Sequence, residues 1–171
     1  ITGEDNSYVK TLIAMQNNDG GFGVTKRYTS EIFDTVLALE AFESFDSKAY
    51  ESEIQKMIMY LIYNQEEDGS WKVNHYNGSE IALTARVAYY SNKYLTEHNL
   101  TSAETEDAFS KSDVFLSSVN SSDMNKEKIE TTLYTQLYKN SRGDYTHVYD
   151  TVKAVAEAQN SNGSYYDSIY D

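Results

Sequence analysis

The sequence predicts an all-α protein built from repeated helical hairpins. Apolar residues recur at steps of three and four along most of the chain, the spacing that lines one face of a helix. In addition, a motif of Gln, two spacers, Asp or Asn, Gly, a small residue and an aromatic residue follows three of these segments, starting at Gln16, Gln65 and Gln159. Units of two helices in roughly 40–50 residues are typical of helical-repeat proteins, whose hairpins bury their apolar faces against each other.

The first three predicted helices carry clear apolar stripes. Paired glycines end the first helix, since glycine suits turns better than helix interiors. A cap at Thr29 or Ser30 starts the second helix, and a break at Asp46-Ser47 separates it from the third. In order, these helices cover residues 7–15 with Tyr8, Leu12 and Met15, residues 30–45 with Ile32, Val36 and Leu39, and residues 48–64 with Ile54, Met57, Ile58, Leu61 and Ile62.

Four further helices follow the second motif. Ser79 is a good cap for the fourth helix. Thr101 and Glu104 have the spacing of a capping box, so they predict the start of the fifth. Polar turns separate the fifth, sixth and seventh helices, and no segment alternates as a strand does. The predicted ranges are residues 79–95, 101–119, 126–139 and 145–158, the last with Val148, Val152, Val155 and Ala156 on its apolar face.

The repeat extends beyond the motif. Ser79-Glu80-Ile81 follows the second copy as Ser30-Glu31-Ile32 follows the first, at an offset of 49 residues. The same register places Thr84 over Thr35, and an offset of 48 places Thr132 over Thr84. A degenerate copy of the motif, without its glycines, is expected at 118–123. Residues 168–171 align with 31–34 and so predict the start of a further helix. The predicted organisation is one domain, 1–171, with repeats at about 7–45, 48–95, 101–140 and 145–171.

Composition limits the partners and the chemistry. The chain has 171 residues, no cysteine and a formal net charge of −13. The charge disfavours nucleic acid and anionic membranes as partners. Without cysteine there is no disulfide, thiolate metal site or Cys nucleophile. No run of 18 apolar residues occurs, so we expect no membrane insertion. The 16 tyrosines and many Asn and Ser residues suit contact with a sugar or a wet interface.

The motif resembles the Gln-Trp motifs of the terpenoid cyclase and protein prenyltransferase superfamily. Residues 16–42, with Gln-x-x-Asp-Gly-Gly-Phe-Gly and then Asp-Thr-x-x-Ala-Leu, are especially similar to a prenyltransferase β-subunit repeat. The resemblance implies an α/α toroid with inner and outer helix rings, present here as a partial ring of about seven helices. It also implies a structural role for the motif residues, which are Gln16, Asp19, Gly20, Phe22, Gln65, Asp68, Gly69, Trp71, Gln159, Gly163 and Tyr165.

The catalytic motifs of that superfamily are missing from these residues. No Asp-x-Asp-Asp run of a class II cyclase occurs, and the zinc site of prenyltransferases and the thioester of complement-like proteins both need cysteine. The histidines His75, His98 and His147 have no partner at ligand spacing, so surface or packing roles are expected. Calcium in the turns is disfavoured, because one Asp per turn falls short of six to eight oxygens. We predict no catalytic residue, no metal and no cofactor.

A ligand site is predicted where the inner helices of such a ring begin, at the mouth of its cavity. Asp34 as a general acid is a weaker hypothesis, because Asp and Thr at helix starts also act as caps. The candidate ligand-binding residues are Glu31, Asp34, Thr35, Glu80, Thr84, Arg86, Glu130, Thr131 and Tyr134.

Three functions follow from these observations. The favoured one is a non-catalytic toroid module of a secreted or surface protein that binds a small molecule, a glycan or a protein; a cytoplasmic location stays open. The second is a fragment of a terpenoid cyclase or prenyltransferase-type enzyme. The third is a carbohydrate-binding or polysaccharide lyase-like toroid that uses Tyr134, Arg86 and an acidic residue. An open ring would also expose the flanks of its end helices, so self-association is expected.

Overall fold

A computed structural model describes residues 7–26, 28–43, 47–72, 79–117 and 129–163. These residues form seven α-helices, which confirms the predicted all-α class, and they contain no strand beyond one isolated antiparallel bridge between Phe22 and Glu31. A short 3-10 helix, Ser47–Tyr50, precedes the third α-helix. The helices are α1 (Ser7–Ile13), α2 (Ile32–Glu43), α3 (Glu51–Tyr63), α4 (Glu80–Glu97), α5 (Ala103–Ser117), α6 (Ile129–Ser141) and α7 (Val148–Ala158).

The helix starts follow the predicted caps in part. Ser79 caps α4 as predicted, its Oγ accepting from the backbone N–H of Ala82 over 3.4 Å. The capping box of α5 lies one residue later than predicted. Ser102 Oγ accepts from Thr105 N at 3.3 Å, and Thr105 Oγ1 accepts from Ser102 N at 2.9 Å. A threonine hydroxyl therefore fills the place expected for the carboxylate of Glu104.

The start of α2 also differs from the prediction. The Ser30 hydroxyl donates to Asp19 Oδ1 over 2.7 Å and accepts from the Asn17 amide over 2.9 Å, so it belongs to the preceding turn. The first carbonyl to accept a helical hydrogen bond is that of Glu31, from Thr35 N. As a result α2 begins at Ile32, after the predicted caps at Thr29 and Ser30.

The even-numbered helices lie side by side, with α4 between α2 and α6. Side-chain contacts between them keep a nearly constant spacing along the chain. Glu40 and Glu43 of α2 contact Arg86 and Lys93 of α4, at separations of 46 and 50 residues. On the other side, Asn92 of α4 contacts Ser141 of α6, at a separation of 49. Residues further along one helix contact residues further along the next, so these three helices run in the same direction.

The odd-numbered helices α3, α5 and α7 pack on α2, α4 and α6 respectively, and the core lies between the two sets. Each large apolar side chain buried there contributes about 1.5–3 kcal/mol. The largest fully buried side chains are Trp71, Tyr94, Tyr138, Phe42, Phe109, Leu39, Ile54, Met57, Ile58, Leu61, Leu116 and Val9.

The motif residues form turns, called here Gln–Gly turns, at 16–22, 65–71 and 159–163. In the first turn, Gln16 Nε2 donates to the carbonyls of Gly20 and of Glu53 in α3, over 2.9 and 3.0 Å. In the second, Gln65 Nε2 donates to the carbonyls of Gly69 and of Ala108 in α5, over 3.1 and 2.9 Å. Each glutamine thus ties its own turn to the next odd-numbered helix.

The glycines of the first two turns are required by both conformation and space. Gly20 and Gly69 have φ of +91° and +87°, a region that side chains with a Cβ rarely adopt. A Cβ at Gly20 would lie 2.5 Å from the carbonyl oxygen of Lys56, and one at Gly69 would lie 2.3 Å from that of Lys111. The turn backbone therefore packs directly on the backbone of the next odd-numbered helix.

The third Gln–Gly turn has the same local form without a helix packed on it in the described chain. Gln159 Nε2 donates to the Gly163 carbonyl over 2.8 Å, and Gly163 has φ of +86°. Of the described residues, a Cβ at Gly163 would meet only the Gln159 amide, 3.9 Å away. Three predictions fall outside the described residues. They are the degenerate motif copy at 118–123, the aromatic motif residue Tyr165, and the start of a further helix at 168–171.

Candidate functional site

Three residues predicted at the cavity mouth are threonines that the fold buries. Thr35 and Thr84 are 0% exposed and Thr131 is 5% exposed. Thr35 Oγ1 accepts from the Phe22 backbone N–H over 2.9 Å and donates to the Glu31 carbonyl over 2.7 Å. Thr84 Oγ1 accepts from the Trp71 N–H over 3.0 Å. The hydroxyls of Thr35 and Thr84 are thus used inside the fold, where they hold the aromatic residue of each turn against the next even-numbered helix.

The predicted glutamates differ in their surroundings. Glu80 is exposed and forms an ion pair with Lys72 over 3.5 Å. Glu130 is exposed at the start of α6. Glu31 is partly buried, and its backbone N–H donates to the Phe22 carbonyl over 2.8 Å. These three carboxylates are not placed to hold a metal ion together.

Arg86 and Tyr134 are the predicted residues that the fold brings into contact. The Arg86 guanidinium lies over the Tyr134 ring, 5.1 Å from its centroid, and forms an ion pair with Glu40 of α2. Tyr90 lies beside Tyr134, with 6.3 Å between ring centroids. The depression next to these residues is too narrow to admit a water molecule, and it is lined by Phe33, Ala82, Leu83, Arg86, Glu130 and Tyr134.

The electrostatics of this cluster favour a structural role. Burial, together with a hydrogen bond to the Glu40 carboxylate, raises the pKa of Tyr90, and burial raises that of Tyr134. Both phenols therefore stay neutral at physiological pH. The Arg86 charge is already balanced by Glu40, and its side chain is only 16% exposed. The cluster joins α2, α4 and α6 and balances the Arg86 charge with Glu40, while Arg86 Nε is buried without a hydrogen-bond partner among the described residues.

A second ion pair joins α2 to α4. Lys93 Nζ lies 2.7 Å from Glu43 Oε2, and the Glu43 side chain is 9% exposed. Burial raises the pKa of Glu43, and the Lys93 ammonium opposes that shift. Like Arg86 with Glu40, this pair fixes the register of two parallel helices.

A cleft of about 310 Å³ opens between α1 and α2 next to the predicted site residue Asp34, and it is called here the α1–α2 cleft. Its walls are mainly apolar. Asp34 is the one acidic residue of this lining, and its Oδ2 is buried without a hydrogen-bond partner among the described residues. Burial, and secondly the neighbouring Glu31, raise the pKa of this carboxyl. The lining residues are Leu12, Met15, Phe22, Gly23, Val24, Asp34, Leu37, Ala38 and Ala41.

The histidines take no part in these clusters. His98 stacks on Tyr94 with 4.3 Å between ring centroids, and His147 lies exposed, 3.6 Å from Asp150. His75 lies outside the described residues. Within 7–26, 28–43, 47–72, 79–117 and 129–163, no three His, Cys, Asp or Glu side chains are placed to hold a metal ion. The described helices include none long and apolar enough to cross a membrane.

The sequence interpretation missed the partners of these residues. Glu40, Glu43 and Lys93 were not singled out, and Asp34 was the one cleft residue predicted to contact a ligand. One signal was available. Opposite charges separated by about one repeat, such as Glu40 with Arg86, face each other when successive repeats stack in register. Pairing charges at the repeat offset would have found both ion pairs.

Comparisons with protein-family models, with curated proteins and with solved structures give no match to this chain. The terpenoid cyclase and prenyltransferase resemblance is therefore carried by the motif residues alone. What the motif does in the fold is known from the contacts of Gln16, Gln65, Gly20 and Gly69.

Proposed function

We propose that the chain is a non-catalytic, toroid-like helical-repeat module that binds a ligand or partner in the α1–α2 cleft. Two repeated geometries support the toroid-like architecture. The Gln–Gly turns of the first two repeats make the same contacts 49 residues apart, and α2, α4 and α6 run in parallel with the odd-numbered helices packed on them. An inner layer of parallel helices linked through outer helices is what the resemblance implies for a ring.

The observation that carries the proposed function is the contrast between the α1–α2 cleft and the Arg86 cluster. In the cluster, Glu40 balances the one guanidinium, and no space remains beside it. In the cleft, apolar walls surround an opening of about 310 Å³ with a single unpartnered carboxylate oxygen at Asp34. Apolar openings of roughly 300 Å³ or more with a few polar groups are typical of ligand sites.

The enzymatic and carbohydrate alternatives have weaker support. Glu31 is a carboxylate neighbour of Asp34, but the residues that line the cleft include no nucleophile, and no three His, Cys, Asp or Glu side chains of the described residues are placed to hold a metal ion. A sugar stacks on an open aromatic face, whereas one face of Tyr134 is covered by Arg86. The arrangement of the described residues therefore favours binding without catalysis.

Methyl-detected NMR titration with indole and cyclohexanol tests the proposed function. We expect saturable shifts confined to Leu12, Met15 and Leu37, with both probes recovered unchanged. Ala41→Phe, which fills the cleft, should abolish the shifts, and Ala103→Phe at the exposed start of α5 should preserve them. Shifts absent from the cleft, or spread over the whole chain, would contradict the proposal.

A further inference from the structure

The partly buried carboxylates of α2 differ in whether a cation balances them. Glu40 is paired with Arg86, and Glu43 is paired with Lys93, both in α4. Asp34 lines the α1–α2 cleft, and no Lys, Arg or His of the described chain belongs to that lining. Its Oδ2 is buried without a hydrogen-bond partner in the part of the chain that the structure describes. Among the described residues, Asp34 is thus the carboxylate of α2 that lacks a counter-charge.

The surroundings of Asp34 disfavour its negative charge. Burial, and secondly the like charge of Glu31, raise the pKa of the Asp34 carboxyl. A cation within about 4–6 Å would oppose both effects. The residues that α1 and the first Gln–Gly turn contribute to the cleft are apolar, so they supply no cation. A ligand that carries its own positive charge should therefore bind better here than a neutral ligand of the same shape.

We propose that the ligand of the α1–α2 cleft is a small primary amine with an apolar body. Its ammonium group donates hydrogen bonds to the Asp34 carboxylate, and its body packs on Leu12, Met15 and Leu37 of the lining. This inference rests on the proposed function, because it names the chemical class of the ligand that the cleft takes.

The lining argues against other kinds of cation. Calcium needs about six to eight oxygen ligands. Asp34 is the one acidic side chain of the lining, and no three His, Cys, Asp or Glu side chains of the described residues are placed to hold a metal ion. A quaternary ammonium binds an open aromatic face, whereas Phe22, the aromatic residue of the lining that packs in the core, is 3% exposed. A primary ammonium group needs only acceptors for its N–H donors, which a carboxylate supplies.

The volume of the cleft favours a compact ligand. An opening of about 310 Å³ lies at the lower end of the range for small-molecule sites, roughly 300–1,000 Å³. This favours a free small amine over a segment of a protein, which would need a longer groove. The formal net charge of −13 also attracts cations to the whole surface. A test must therefore separate the charge of Asp34 from the charge of the chain.

Methyl-detected NMR titration with three ligands that share one ring measures the preference. At neutral pH cyclohexylamine is a cation, cyclohexanol is neutral and cyclohexanecarboxylate is an anion. The amine and the alcohol should both shift the methyl signals of Leu12, Met15 and Leu37. We expect the amine to bind at least about tenfold more tightly than the alcohol, about 1.4 kcal/mol. The anion should bind more weakly than the alcohol.

Two variants separate the local charge from the overall charge. Asp34→Asn removes the charge and keeps the shape, so the preference for the amine should be lost. Asp150→Asn removes the same formal charge at an exposed position of α7 and should leave the preference unchanged. Circular dichroism verifies that both variants are folded. Asp34→Asn should be at least as stable as the wild-type chain at neutral pH, because it removes an unbalanced charge.

Equal affinities of the wild-type chain for the amine and the alcohol would overturn the inference, as would an amine preference that survives Asp34→Asn. If the alcohol shifts the cleft methyl signals in either case, the proposed function stands and only the ligand class is wrong. If none of the three ligands shifts these signals, both the ligand class and the proposed function are contradicted.

Discussion

The backbone N–H of Trp71 donates to the hydroxyl of Thr84, thirteen residues later, over 3.0 Å. Phe22 and Thr35 repeat this relationship at the same sequence separation, over 2.9 Å. Both threonines are fully buried at the start of an even-numbered helix. One hydroxyl per repeat thus holds the aromatic residue of the Gln–Gly turn in the core, and this pairing explains why Thr recurs at an offset of 49.

Replacing that hydroxyl tests its contribution to stability. Thr84→Val keeps the shape of the side chain but leaves the Trp71 N–H buried without an acceptor, at a cost of about 1–3 kcal/mol. Thr84→Ser retains the acceptor and should cost less. Urea unfolding followed by circular dichroism gives both free energies. A loss for Thr84→Ser as large as that for Thr84→Val, or larger, would contradict this role of the hydroxyl.

The glutamines of the second and third Gln–Gly turns differ in their hydrogen-bond partners. Gln65 Nε2 donates to Gly69 O, Ala108 O and Ser112 Oγ. Gln159 is exposed, and within the described part of the chain its Nε2 donates to Gly163 O alone. Gln65→Ala should cost about 2 kcal/mol, since net contributions are about 0.5–1.5 kcal/mol per hydrogen bond. Gln159→Ala should stay within about 0.5 kcal/mol of wild type. A comparable loss for both in urea unfolding would contradict the tying role of Gln65.

A comparison of Gly69 with Gly143 distinguishes the cost of a strained backbone conformation from the cost of a steric clash. Gly69 and Gly143 both have φ of +87°, but only Gly69 packs on a backbone carbonyl, that of Lys111. Gly143→Ala should cost about 1–2 kcal/mol, the left-handed penalty alone. Gly69→Ala should cost more, about 3–4 kcal/mol, because its Cβ would overlap Lys111 O. Thermal unfolding of the two variants measures the difference, and equal values would mean that the turn does not pack on α5.

Asp34 should destabilise the fold at neutral pH. Its Oδ2 is buried without a hydrogen-bond partner among the residues that the structure describes, and burial, followed by the charge of Glu31, raises its pKa above 3.8. A raised carboxyl pKa means that the charged form is disfavoured in the folded state. The destabilisation by Asp34 is therefore fully present at a pH above its pKa in the folded state, and it is absent at a pH below 3.8.

Asp34→Leu, which introduces the residue found at the equivalent position Leu83, should stabilise the chain by about 1 kcal/mol at pH 7. The gain in melting temperature should be about 2–4 °C and should shrink as the pH falls below the folded pKa of Asp34. Asp150→Leu, at an exposed first-turn position of α7, should give no such gain. A stabilisation by Asp34→Leu that is the same at pH 3 and pH 7 would contradict the charge argument.

Local patterns in the sequence predicted the helices and the turns well. The spacing of Ile54, Met57, Ile58, Leu61 and Ile62 reflects one buried face of α3, and all five are in the core. The cap at Ser79 and the structural glutamines are also local or repeated signals. Boundaries shifted where a side chain had a competing partner, as Ser30 does in Asp19 and Asn17.

The candidate site was less predictable, because it depends on which faces meet. Thr35 and Thr84 were polar residues at helix starts, so they were placed at a cavity mouth, but their hydroxyls are consumed by backbone N–H groups of the turns. Arg86 and Tyr134 did come together, through parallel stacking of α4 and α6. The α1–α2 cleft has no sequence motif, and its lining comes from α1, the first Gln–Gly turn and α2, with no residue of α3 to α7.

Hydrogen exchange at the Phe22 and Trp71 amides tests the central claim most directly, namely that the Gln–Gly turns are fixed structural elements repeated along the array. Both N–H groups lie outside helices, yet both donate to fully buried hydroxyls. They should exchange as slowly as core amides of α4 such as Ala85 and Ala88. Exchange as fast as that of Thr146, whose N–H donates to an exposed Asp144 carboxylate, would contradict the account.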